Sequence, residues 1–227
     1  MGRLFKPVLG RASGKVGDIV FRYTNGKVFI TSHKGTNKIS TSTNCINNRL
    51  RFSTVVGFAK TVNKLPDLKH IWAKSRTKGG TGYSQIITRN ISSISQNNIT
   101  TSNIITPSGF FLTVKDAILT NSTVSLSFIL GSSRVQHSGM EFKSNFVISF
   151  SEPVDETNTA RTLVLAAESN VVPSETEYVD TSAKYDSANS SIINLYKKAI
   201  VFFAITRIDA ENKIEMFSSS DATKISF

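Results

Sequence analysis

One cysteine, Cys45, stands in the whole chain, and that scarcity excludes an intrachain disulfide framework and any multi-cysteine zinc site. Histidine is nearly as rare. His33, His70 and His137 are scattered along the sequence, which argues against a three-histidine metal centre. The same scatter puts no histidine beside Cys45, so nothing in sequence would turn its thiol into a thiolate nucleophile; it reads as a small buried hydrophobe. The Gly-x-Ser-x-Gly elbow of the serine hydrolases is missing. No apolar run approaches the roughly 18–20 residues that cross a bilayer; the longest is Ala199 to Ile205. Met1 to Pro7 contains no apolar h-region, so no classical signal peptide is read, and Lys6 stands where a myristoylation signal wants Ser or Thr. The expectation is a protein made in the cytoplasm, soluble there or carried within a particle, that uses no cofactor and is not an enzyme.

Acidic residues are the other shortage, and it is local. Residues 1–105 hold 17 Lys and Arg against only Asp18 and Asp67, a net charge of +15, whereas residues 106–227 hold 10 against 14 Asp and Glu, a net of −4. A basic half of this kind fits a polyanion or an acidic partner surface. It fits equally a head-to-tail assembly, in which the basic half of one copy meets the acidic half of the next.

The chain has enough apolar residues to fold: 39% are hydrophobic and 19% charged over 227 residues, which excludes wholesale disorder. Abundant Ser, Thr and Asn suit β-rich surfaces and turns. After the glycine-rich stretch Gly10 to Gly17, Val16 to Tyr23 and Lys27 to Ser32 are β-rich runs joined through Thr24-Asn25-Gly26, a strong hairpin signal. Residues 33–43 read as a polar linker or arm. Helical spacing of Phe52, Val55, Val56, Ala59 and Val62 predicts a helix from about Asn44 to Val62. Pro66 and Asp67 start a second, with Leu68, Ile71 and Trp72 as its stripe, and a third spans about Tyr83 to Ile91. Beyond the polar stretch Ser92 to Asn103 the period changes to two. Val124, Leu126, Phe128 and Leu130 alternate with polar residues, as do Phe146, Ile148 and Phe150, then Leu163 and Leu165, then Ile214 and Met216. The continuously apolar Ala199 to Ile205 predicts a central strand covered on both faces. The fold expected is mainly β, α+β overall: a basic hairpin-plus-helices module over 1–105, then an immunoglobulin-like β-sandwich over 106–227.

The pattern Gly10-x-x-Ser13-Gly14-Lys15-x-Gly17-Asp18-x-Val20-x-Arg22, then Asn25-Gly26-Lys27, then a basic helix with Arg49, Arg51 and Phe52, resembles an uncharacterised family of Bacteroidota-type proteins. Ala199 to Phe203, followed by a turn and Ser218, is similar to that family's last hairpin. The likeness covers about the first 75 and last 30 residues. It implies no activity; it favours a non-enzymatic surface, virion or prophage component.

Three segments invite a chemical reading. Gly10-x-x-x-Gly14-Lys15-Val16 is one residue short of a P-loop, lacks its Ser or Thr, and feeds a strand rather than a helix, so it reads as a structural glycine loop. Arg76 and Lys78, in a glycine-rich run ending at Tyr83, stand near Lys69, His70, Trp72 and Lys74. The cations could neutralise phosphates and Trp72 or Tyr83 could stack a base; alternatively Trp72 packs the helix core and the cations are its solvated face. Together with Arg11, Lys15, Arg22, Lys27, Arg49 and Arg51 these make up the candidate contact for a polyanion or partner. Glu152, Asp155 and Glu156, and again Glu175, Glu177 and Asp180, could perform glycoside hydrolysis or hold Ca²⁺, but they lack the alternating Asp/Asn-plus-Gly loop of an EF-hand and the basic half is wrong for carbohydrate processing, so they read as solvated loops. The resulting expectation is a structural component of a multi-copy assembly, a phage or phage-like particle, acting as a homo-oligomer or with other subunits. The alternative is a cytoplasmic protein that binds nucleic acid through its basic half.

Overall fold

The computed structural model describes residues 2–4, 13–24, 26–32, 40–75, 80–95, 97–129, 141–157, 159–171, 178–185, 192–209, 211 and 213–227. The chain is mainly β, with antiparallel sheets and three α-helices, and divides into two compact units, Met1–Cys45 and Ile46–Phe227.

The first unit is one antiparallel sheet of β1 (Gly2–Leu4), β2 (Gly14–Val16), β3 (Ile19–Thr24) and β4 (Lys27–Ser32), in the order β1-β4-β3-β2. The hairpin expected through Thr24-Asn25-Gly26 is there, but the run expected from Val16 to Tyr23 is broken at Gly17-Asp18: Val16 ends β2, and β3 begins at Ile19. Val16 pairs with Ile19 across the two-residue turn Gly17-Asp18. Gly17 takes φ +54°, the sign that a hairpin turn with glycine in its first central position requires. Asn25 lies outside the described residues, but the pairing of Thr24 with Lys27 fixes the second hairpin as a two-residue loop. Val28 is the unit's one buried hydrophobic side chain among the described residues.

The second unit builds upon two antiparallel sheets. Strands β5 (Thr113–Leu119), β6 (Thr123–Ile129) and β9 (Tyr178–Lys184) form one, in the order β5-β6-β9. The other runs β11-β10-β7-β8, from β7 (Glu141–Pro153), β8 (Thr162–Val171), β10 (Tyr196–Ile208) and β11 (Ile214–Phe217), with β12 (Asp221–Ser226) also paired to β10. Alternate residues of the long central strands point to opposite faces. Phe146, Ile148 and Phe150 of β7 and Ala199, Val201, Phe203 and Ile205 of β10 share a core with Val124, Leu126 and Phe128 of β6 and Val179 of β9. The intervening Val147, Ile200, Phe202 and Ala204 belong to a second core, made with the helices.

Those helices are α1 (Thr43–Val62), α2 (Pro66–Lys74) and α3 (Gly82–Asn90). Ser42 caps α1 by accepting from the Cys45 amide (3.4 Å). Thr81 and Ser84 cap α3 reciprocally, side chain to backbone in both directions (3.1 and 2.9 Å). Val55, Phe58, Ala59 and Val62 of α1 and Leu68, Ile71 and Trp72 of α2 cover the helix-facing side of the large sheet. Phe58 meets Phe202 edge-on, with ring centroids 5.3 Å apart. The expected α1 stripe needs one correction. Phe52 is 52% exposed, because burial of this helix starts only at Val55.

Between the last helix and β5, Phe110 forms a parallel bridge to Ser218. Its amide donates to Phe217 O (3.1 Å), and Ser219 N donates to Phe110 O (2.7 Å). The connection from helices to strands is thereby fastened to the β11–β12 edge.

Candidate functional site

Strand alternation and register sort the N-terminal sheet into two unlike faces. The pairs Val16–Ile19, Phe21–Ile30 and Tyr23–Val28 lie on one. This face is apolar, and much of it is open: Val16 is 69% exposed, Ile19 46% and Tyr23 38%. The pairs Lys15–Val20, Arg22–Phe29 and Thr24–Lys27 lie on the other. Three cations, all exposed, thus share one face with Val20 and the half-buried Phe29. The single carboxylate of this unit's described residues, Asp18, sits in the tight turn.

Of the residues singled out by sequence, the structure brings Lys15, Arg22 and Lys27 together. Arg11, Arg76 and Lys78 lie outside the described residues. Arg49 is exposed on α1, and Lys69 and Lys74 are exposed on α2. Two of the expected contact residues serve the fold instead. Arg51 donates through Nε to Ile91 O (2.8 Å) and through Nη2 to Ser92 O (3.0 Å), holding the 3-10 turn Ile91–Ser93 against α1. Trp72 has no exposed surface, and its indole N–H donates to Ile105 O (2.7 Å), so no face of the ring is left for a base to stack on. Sequence reading missed Phe29 as an aromatic member of a basic face. The signal was the alternation of Ile19-Val20-Phe21-Arg22-Tyr23, which puts Arg22 and the large apolar residues on opposite sides.

Cys45 is partly buried. Glu152 pairs with Lys198, and Asp155 accepts from the amide and hydroxyl of Thr157 (2.9 and 2.6 Å). Asp180 accepts from Ser127, and Glu175 and Glu177 lie outside the described residues. Among the described residues no three His, Cys, Asp or Glu side chains are grouped so as to hold a metal ion. Glu152, Glu156 and Arg161 line a 270 Å³ hollow, and Asp116, Ser127 and Asp180 a 410 Å³ trough on the small sheet. A smaller one of 220 Å³ lies between His70 and Lys74 of α2 and Phe217 of β11. Burial pushes the Tyr185 phenol up to about 12, and its hydroxyl donates to Thr120 O. No described helix is long and apolar enough to cross a membrane.

No protein-family model and no curated protein matches the chain. Among solved structures it has a slight likeness to β-glucosidase 3B from Thermotoga neapolitana and to a β-glucosidase from Kluyveromyces marxianus, both in complex with glucose. Identity is 11% in each case and the TM-scores are 0.19 and 0.18. The likeness covers 52% and 53% of this chain but only 17% and 15% of those enzymes. A resemblance this slight assigns no activity.

Proposed function

We propose that the chain is a non-enzymatic subunit of a multi-copy assembly, docked to a neighbouring copy through the apolar face of its N-terminal sheet. The observation that carries this is the exposure of Val16, Ile19 and Tyr23 on one face of a sheet whose only buried hydrophobic side chain among the described residues is Val28. A sheet this small cannot bury enough apolar surface by itself to offset its ordering entropy, so a second surface must cover it. Another copy is the fitting occupant because the chain is charge-bipolar: +15 over residues 1–105 and −4 beyond.

In this reading the strands from β5 onward form an immunoglobulin-like sandwich. Counted along the chain, the first, second and fifth strands make one sheet and the rest the other, so the chain changes sheet in the Greek-key manner. The parallel bridge of Phe110 to Ser218, which ties the segment leading into the first strand to the last hairpin, supports the same reading.

The test is light scattering on a size-exclusion column at low and high salt. Oligomers are expected in both buffers. Val16→Glu combined with Ile19→Glu should reduce them to monomers while leaving the melting transition of the remaining unit in place. A wild-type chain that is monomeric in every buffer overturns the proposal.

A further inference from the structure

We infer that the opposite, basic face of the N-terminal sheet binds single-stranded nucleic acid along a diagonal row of three cations. Lys15 lies opposite Val20, Arg22 stands two residues further along β3, and Lys27 lies opposite Thr24, two residues further again, on the next strand. Each step from one cation to the next is therefore one strand across and two residues along. With strands about 4.8 Å apart and a rise of about 3.4 Å per residue, that step is roughly 8 Å. The row is straight and evenly spaced. Extended single strands present phosphates at intervals that flexible Lys and Arg side chains on such a row can follow.

The groups around the row fit the same ligand. Phe29 lies directly across from Arg22 and is half-buried, which anchors the ring and leaves part of it open to a base. Val20 and Thr31 continue the face, and Thr31 is held by its hydroxyl donating to Val20 O (3.5 Å). Residues 1–45 carry eight Lys and Arg against one acid, so the surrounding field favours a polyanion. An acidic protein surface would satisfy the cations but give no reason for an aromatic ring among them, and duplex DNA would keep its bases from Phe29. The inference uses the face that the assembly proposal leaves open, and it stands or falls separately.

The experiment is fluorescence anisotropy of a labelled 20-nucleotide single strand against full-length protein, across a salt series, with a duplex of equal length and polyglutamate as competitors. Three phosphate contacts predict a log K against log[salt] slope for this face of about −2, at roughly −0.7 per contact. The triple variant Lys15→Ala, Arg22→Ala, Lys27→Ala should lose that part of the slope and weaken binding about 100-fold at 0.1 M salt. Phe29→Leu should weaken single-strand binding several-fold and leave the slope alone. The charge-matched variant Lys60→Ala, Lys64→Ala, Lys224→Ala, at exposed positions of the second unit, should keep most of the affinity. Light scattering should show the Lys15→Ala, Arg22→Ala, Lys27→Ala variant in the same oligomer as the wild type, so loss of assembly cannot be mistaken for loss of this face. Equal weakening of the two triple variants, polyglutamate competing as well as the oligonucleotide, or no binding at low salt would each overturn the inference.

Discussion

Asn90 is fully buried at the end of α3, and both ends of its amide are engaged. Its Nδ2 donates to Ile86 O and Ile104 O (3.0 Å each), and its Oδ1 accepts from the Ile104 amide (2.7 Å) and from Asn103 Nδ2 (3.1 Å). Asn103 in turn donates to Asn90 O (3.0 Å) and accepts from the Thr100 amide (2.9 Å). Two asparagines thus supply the partners that the backbone around residues 100–104 would otherwise lack. A leucine at position 90 fills similar space but strands an amide and a side chain in a dry environment. Asn90→Leu should therefore lower unfolding free energy by about 3 kcal/mol, because buried donors without acceptors cost more than the bond itself contributes. Urea denaturation measures this, and a loss under half a kcal/mol would mean that water reaches the site. None of this was legible in the sequence. Asn90 falls near the end of the expected third helix and Asn103 at the end of the polar stretch Ser92 to Asn103, and only the returning chain buries them.

Elements were legible where one face alone is buried and the period is undisturbed. The hairpin of β3 and β4 and the three helices fall where alternation, Pro66 and helical spacing place them. Strand β6 follows its alternating pattern, and β10 has the central place its apolar run predicts. In the second unit three strands escaped. A bulge between Val114 and Asp116 breaks the alternation of β5. The inward side of β9 is only Val179, Thr181 and Ala183, and β12 pairs with β10 alone and is largely polar. The serines of β7 also mislead, since Ser144 and Ser149 are buried. Of the candidate site, the alternation of Ile19 to Thr24 was legible. That Lys15 joins Arg22 and Lys27 was not, since it depends on the register set by the Gly17-Asp18 turn.

The junction of elements at Gly109 gives the prediction at this scale. Gly109 has φ +138°, and an added Cβ would overlap the backbone of Ser218 and Ser219. This is where Phe110 fastens to the β11–β12 edge, and Ser218 is itself fixed to β10, accepting through Oγ from the Ile205 amide (2.9 Å). The edge cannot retreat, so Gly109→Ala should cost about 3 kcal/mol or more, combining a strained backbone with a steric clash. Hydrogen exchange should show the loss first at the Phe110 and Ser219 amides. Wild-type stability would mean that the segment 106–112 docks in another way.

At the scale of the whole molecule, the two units differ in how they are held together. Unit Ile46–Phe227 owns both hydrophobic cores, and every buried residue of those cores lies beyond position 54. Unit Met1–Cys45 contributes one buried hydrophobic side chain among its described residues, Val28, which belongs to neither core. Backbone ordering costs about 1–2 kcal/mol per residue, so the four-stranded sheet has little apolar burial to set against that cost. A chain shortened to residues 41–227 keeps Ser42 to cap α1 and keeps both cores. Its thermal midpoint should fall within about 2 °C of the full-length monomer, given that a loss of 1 kcal/mol moves a domain of this size by about 2–4 °C. A drop of ten degrees would instead give the N-terminal sheet a structural share in the second unit. The converse measurement separates stability from assembly. If the sheet is ordered by what covers it, amide exchange in β3 and β4 should slow as the full-length chain oligomerises. The β7 and β10 amides should be equally protected in monomer and oligomer, because their partners lie wholly within one copy.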